Sequence, residues 1–281
     1  MRRYCMQKTQ KLDDLIENIY KNNSGYRIKE NDVDNNICFI YCSSNALYLK
    51  GDIKDFKNKI IERNRYEWEN IQPKKIPKLE IYIRDIFLSW YVKGISKDIS
   101  DFESLIYFLK SVTKGYKVRC IGASSGGYIG TMIALKLNCE CMSFAGQFSL
   151  VNHFDHIEKN TYLRQYVSSY GIDKLELQNI IEDSTAEIFY IVPTKSEQDT
   201  IQMNIIKEKK NVYTIRVSTD KHGVALYSFA LPRGICYERN KLLSYTGKVY
   251  NKFCISCLWG GITSAFKYFI GKIFDGWRKT K

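Results

Sequence analysis

Gly122-Ala123-Ser124-Ser125-Gly126-Gly127 is the segment of this chain best suited to covalent chemistry. A G-x-S-x-G pentad presents a serine hydroxyl for attack when a strand runs into it and a helix leaves it. Residues 117–121 read as a strand and 126–137 as a helix, so both conditions are met. In such a turn the incoming strand and outgoing helix pass so closely that side chains two residues before and after the serine would collide, and here those places are Gly122 and Gly126. Ser124 is therefore the expected nucleophile. The Ser125 N–H, at the positive end of the helix, is the expected donor to a developing oxyanion. Ser125 as nucleophile is the alternative register, with Gly127 two residues after it but Ala123 two residues before, so only Ser124 has glycine on both sides.

A serine needs a base, and the base needs an acid to orient it. The chain has three histidines. His222 lies just past a strand at 212–217, in Thr219-Asp220-Lys221-His222-Gly223, where a base that follows the last strand belongs. His153 and His156 have H-x-x-H spacing but no nearby carboxylate–histidine set, so no metal is expected there. The loop after a strand at 188–192 reads Pro193-Thr194-Lys195-Ser196-Glu197-Gln198-Asp199. Asp199 is the expected acid, Glu197 its near rival and Asp155 a distant third. A second oxyanion donor is expected from Cys42-Ser43-Ser44-Asn45-Ala46, through the backbone of Ser44 or Asn45. Arg84 and Asp85 follow a strand at 79–83. They read as a structural ion pair, with Arg84 as an anchor for an anionic substrate the sharper reading.

The elements that must hold these groups alternate. Strands are expected at 37–41, 79–83, 117–121, 141–145, 188–192 and 212–217, and helices at 7–22, 52–66, 100–112, 126–137 and 202–208. This alternation predicts an α/β fold with a doubly wound, mostly parallel sheet. Right-handed crossovers place helices on both faces, and reactive groups collect at the carboxyl ends of the strands. The fold is expected over 1–240, with a small cap at 148–186.

The formal charge of +13 favours anionic partners. No zinc-finger spacing or aromatic RNA-binding signature accompanies it, so nucleic acid is not expected. The basic N-terminus is followed by no apolar run, and nine cysteines lack the spacing of a disulfide scaffold. Both features point to a reducing cytoplasm. Cys254-x-x-Cys257 and Cys139-x-Cys141 have no second ligand pair, and no cofactor is expected. Residues 241–281 read as an amphipathic extension in which Phe253, Trp259, Phe266, Phe269, Phe274 and Trp277 alternate with Lys267, Lys272, Arg278, Lys279 and Lys281. Such a segment suits the surface of an anionic bilayer, which would place the protein at the inner face of the membrane. A terminal helix packed on the sheet, or a dimer contact, is the plainer reading. The oligomeric state is not legible.

With the strand order, the G-x-S-x-G-G-Y run at 122–128, an acid near 199 and His222-Gly223, residues 35–235 resemble α/β-hydrolase serine esterases. Cys42-Ser43-Ser44-Asn45-Ala46-Leu47-Tyr48, Arg84-Asp85 with Trp90-Tyr91-x-x-Gly94, and Phe144-Ala145-Gly146-Gln147-Phe148 resemble a bacterial branch linked with surface-polysaccharide biosynthesis. The resemblance implies a carbohydrate ester or acyl group as substrate and puts Gln147 beside Arg84 as a candidate binding residue. Ala46 departs from the glycine that branch commonly carries, which puts the oxyanion loop's geometry in question. The expected activity is cleavage of an ester or thioester through an acyl-enzyme. The alternatives are an acyltransferase with the same residues and a non-catalytic scaffold.

Overall fold

Ile37-Cys38-Phe39-Ile40-Tyr41-Cys42 has no polar side to offer water, and the chain buries both of its faces. In the computed structural model, which describes residues 2–151, 167 and 170–279 and the side chains of all but 2–10, 172 and 276–279, this strand is β2 (Ile37–Cys42). It lies inside an eight-stranded sheet with β1 (Tyr26–Glu30), β3 (Leu79–Ile83), β4 (Lys117–Ala123), β5 (Glu140–Phe144), β6 (Glu187–Pro193), β7 (Val212–Ser218) and β8 (Val249–Asn251). The order is β1-β3-β2-β4-β5-β6-β7-β8. Every neighbouring pair is parallel except β1 with β3. This is the α/β-hydrolase arrangement.

Alternation along β2 shows why helices cover both faces. Cys38, Ile40 and Cys42 enter one core, and Phe39 and Tyr41 the other, because successive side chains of a strand point oppositely. The first core is closed by α3 (Phe102–Val112) and α4 (Ser125–Leu137), through residues such as Phe102, Leu105, Leu109 and Met132. A helix at Arg2–Asn22, α1, packs Leu12, Ile16 and Tyr20 into a smaller cluster with Leu47, Phe56 and Phe87. The helix expected at 52–66 is shorter: α2 (Ile53–Phe56) runs into a π-helical turn, Lys57–Glu62, and the chain reverses at Asn64 with φ 45°.

Two strands were missing from the sequence reading, for the same reason. β1 is a largely exposed edge strand and β8 has three residues, so neither carries an apolar run. β8 also changes the reading of the C-terminus. It pairs with β7, and α6 (Lys252–Gly260) sends Ile255 and Trp259 into the second core. The sheet thus continues past 240 instead of ending there, and Trp259 is a core residue. Of the expected cap at 148–186, residues 152–166, 168 and 169 lie outside the described residues, and with them His153, Asp155 and His156. No single helix among the described residues is long and apolar enough to cross a membrane, and none of their His, Cys, Asp and Glu side chains form a metal-binding group.

Asp85 organises the turn after β3. Its carboxylate accepts hydrogen bonds from Phe87 N (2.9 Å), Ser89 N (2.6 Å), Ser89 Oγ (2.9 Å) and Tyr91 N (2.9 Å). Leu88, Trp90 and Tyr91 all carry positive φ there, a strained conformation that needs such fastening. Asp85→Ala leaves these buried donors unmet and is expected to cost about 3 kcal/mol, read as a lowered urea midpoint with an unchanged slope.

Candidate active site

β4 delivers Ser124 to a turn with φ 53° and ψ −123°, and α4 starts at the next residue. The conformation is held by Ser124 N donating to Phe144 O (2.9 Å) and Tyr128 N donating to Ser124 O (2.9 Å). Both flanking glycines are required, Gly122 by the outgoing helix and Gly126 by the end of β2. A Cβ on Gly122 would lie 2.1 Å from Gly126 O, and one on Gly126 would lie 2.4 Å from Cys42 O. No real Cβ survives such contacts with backbone, so the turn admits no side chain at either place.

His222 comes from the segment after β7. Its Nε2 is 2.8 Å from Ser124 Oγ, and its Nδ1 is 2.9 and 3.1 Å from the two carboxylate oxygens of Asp199. Asp199 is not a loop residue. It sits in the first turn of α5 (Glu197–Ile206), capped by Ser196, where the helix dipole favours a negative charge. It is fully buried, whereas Glu197 is exposed and turns no side chain to the histidine. An Nδ1–H donated to a buried carboxylate leaves Nε2 unprotonated toward the serine, the tautomer a base requires.

Ser125 takes another place. Its side chain is buried and its Oγ accepts a hydrogen bond from Asn45 N at 2.8 Å. It thus ties α4 to the loop after β2, and of the two serines of the turn only Ser124 lines the cleft. The Ser125 N–H belongs to the first helical turn, where backbone donors have no partner within the helix.

The loop expected to complete the oxyanion site is already engaged. Ser43 N donates to Ile83 O (3.0 Å), Ser44 N to Glu67 Oε2 (2.6 Å) and Ala46 N to Ser44 Oγ (3.1 Å). Asn45 N is held by Ser125, so neither Ser44 nor Asn45 presents a free amide in this conformation. Glu67 was not among the expected residues. It belongs to a segment, 65–71, that forms one wall of a cleft of about 420 Å³ whose lining also includes Ser124, His222, Ser44 and Ala46. Glu67 N donates to Ser43 Oγ (3.1 Å), and Trp68 Nε1 to Cys42 O (3.3 Å). The sequence around Glu67 carries no motif or periodicity that could have identified a cleft wall.

Arg84 and Gln147 are corrected. Arg84 is fully buried. It donates to Arg65 O (2.8 Å) and Asn64 Oδ1 (2.7 Å) and stacks on Tyr66 at 4.4 Å. It makes no ion pair with Asp85 and no part of the cleft, because the turn after β3 carries it back under the 64–66 reversal. It supports the cleft wall from behind. Gln147 is buried, with its Nε2 on Ala145 O at 3.3 Å, and does not line the cleft.

No family model matches this chain, and no curated protein does. Solved structures do. A capsule O-acetyltransferase of Neisseria meningitidis serogroup A aligns over 68% of this chain and 82% of its own, with 13% identity and a TM-score of 0.49. Esterase B from Lactobacillus rhamnosis aligns over 75% and 82%, with 9% identity and a TM-score of 0.43. An acylaminoacyl peptidase from Pyrococcus horikoshii aligns over 67% of this chain but 34% of its own, with 12% identity and a TM-score of 0.42. These are likenesses of fold and assign no activity.

Proposed function

We propose that this protein is a serine acyl hydrolase that carries an acyl group on Ser124. The observation that supports the reading is the unbroken chain Asp199–His222–Ser124 at the wall of an open cleft. Ser124 Oγ attacks the carbonyl carbon of an ester or thioester while His222 Nε2 takes its proton. Asp199 holds the ring and stabilises the imidazolium. The tetrahedral oxyanion is received by the Ser125 N–H at the helix start. Its collapse breaks the bond to the leaving group, which accepts the proton from His222. Water then attacks the acyl carbon as the same histidine takes its proton, and the bond to Ser124 Oγ breaks with that proton returned to Oγ, releasing the acid.

The second donor in this reading is the Ser44 N–H, and Glu67 competes for it. Substrate binding must draw the Glu67 carboxylate aside before that amide can serve an oxyanion. An O-acyl group on a carbohydrate is the substrate class to which the sequence resemblance points. An acyltransferase would use the same residues and differ only in passing the acyl group to a sugar hydroxyl.

The test is rapid mixing with a p-nitrophenyl ester. A stoichiometric burst of nitrophenol, with the acyl mass recovered on the peptide containing Ser124, is expected. Turnover with no burst and no acyl peptide under denaturing quench, or no turnover at all across an ester panel, overturns it. Added sugar acceptors divide the products between acid and acylated sugar and so separate hydrolase from transferase.

A further inference from the structure

The C-terminal helices carry a surface that the acyl chemistry does not use. α6 is followed, after Gly261 with φ 86°, by α7 (Ile262–Lys279). Ile262 is 80% exposed, Phe266 67%, Phe274 60%, Ile273 59% and, on α6, Leu258 53%. At ~100° per residue, Ile262, Phe266, Ile270 and Ile273 share one arc of α7, with Phe274 at its margin. The edge next to that arc faces the protein: Ala265 is buried, and the Phe269 ring lies 5.3 Å from Tyr227 and 5.8 Å from Phe253. The helix is therefore anchored along one edge of the arc and leaves the large apolar groups beside that contact exposed.

Charge selects what can cover that arc. Lys267 borders the arc on one side, and Lys272 lies on the other beyond Ala265 and Phe269, over the Tyr268 ring at 5.4 Å; both are exposed. Between 241 and 281 the chain has eight lysines and arginines and a single acidic residue, Asp275. A second copy of this chain would bring the same positive charges against these, a like-charge apposition that is costly. An anionic bilayer surface answers both features, since it accepts apolar side chains at the acyl boundary and attracts the flanking lysines. The two helices bend by 116° at their junction, and Lys267, Lys272 and Asp275 interrupt α7, so the pair lies along a surface better than across it.

We propose that the α6–α7 face docks this protein on anionic membrane surfaces, with Phe266 and Ile273 inserted and Lys267 and Lys272 on the headgroups. The same contact fixes the orientation of the cleft, because α7 rests on the segment at Tyr227 and Phe229, between His222 and Leu231, two residues of the cleft wall.

The experiment is flotation of the full chain with vesicles of phosphatidylglycerol and phosphatidylethanolamine, against vesicles of phosphatidylcholine. Binding to the anionic vesicles is expected, weakened about tenfold between ~0.1 and ~0.5 M salt. Phe266→Glu with Ile273→Glu should reduce it at least tenfold, as should Lys267→Glu with Lys272→Glu, at an unchanged thermal midpoint. The proposal is overturned by equal binding to both vesicle types, by no binding to either, or by double variants that float like the wild type. Sedimentation equilibrium is run alongside. A dimer abolished by the Phe266/Ile273 variant, with no vesicle binding, assigns the face to a second copy instead.

Discussion

Ser124→Ala should lower turnover of an activated ester by about 10⁶-fold and abolish covalent labelling by a fluorophosphonate. The size of the effect follows from what is removed. Without Oγ there is no atom 2.8 Å from His222 Nε2 to attack the carbonyl, and only binding and oxyanion stabilisation remain, so a residual rate about 10³–10⁴-fold above water is the floor. The fold should be indifferent to the change, since the Ser124 backbone makes the bonds that shape the turn. Ser125→Ala is the control. Its hydroxyl accepts from Asn45 N and has no place in the cleft, so labelling should persist and turnover fall by about tenfold as the loop after β2 loosens. If labelling is instead lost in Ser125→Ala and kept in Ser124→Ala, the assignment of the nucleophile fails. The readout is the mass of the intact adduct for each variant.

Asp199→Asn is expected to lower kcat by about 10⁴-fold with little change in KM. The carboxylate is fully buried and meets His222 Nδ1 through both oxygens, so it dictates which ring nitrogen holds the proton. An asparagine can turn its NH₂ to Nδ1 and drive the proton to Nε2, where it faces Ser124 as a donor rather than an acceptor. Binding is untouched because Asp199 lies behind the histidine and not in the cleft. A proportional loss in kcat and kcat/KM checks the prediction. A loss confined to KM would place Asp199 outside the chemistry. Glu197→Gln, at an exposed position, should leave both constants within about twofold.

The groups joined by hydrogen bonds at the cleft come from widely separated parts of the chain. Ser124, His222 and Asp199 were legible beforehand because each stands next to a strand end, and the parallel sheet gathers strand ends on one edge. Gly122 and Gly126 were legible because steric exclusion at a tight turn is a local matter, carried by the residue type alone. The central strands of the sheet were legible because a strand buried on both faces is apolar at every position, as in β2. β1 and β8 were not, because an edge strand pairs through its backbone and leaves no mark on its side chains.

What the amino-acid order determined by itself was therefore the bend at Ser124, the core strands of the sheet and the carboxyl-end positions of the three polar groups, all consequences of residue type and spacing. Only the tertiary structure decided who stands next to whom. It placed Glu67 on the Ser44 amide, sent Arg84 behind Tyr66, buried Gln147, and divided the C-terminal aromatics between a core residue, Trp259, and exposed ones such as Phe266. Those outcomes depend on loop paths and on how distant surfaces fit together, and a polar or aromatic side chain carries no local signal of which neighbour it will meet.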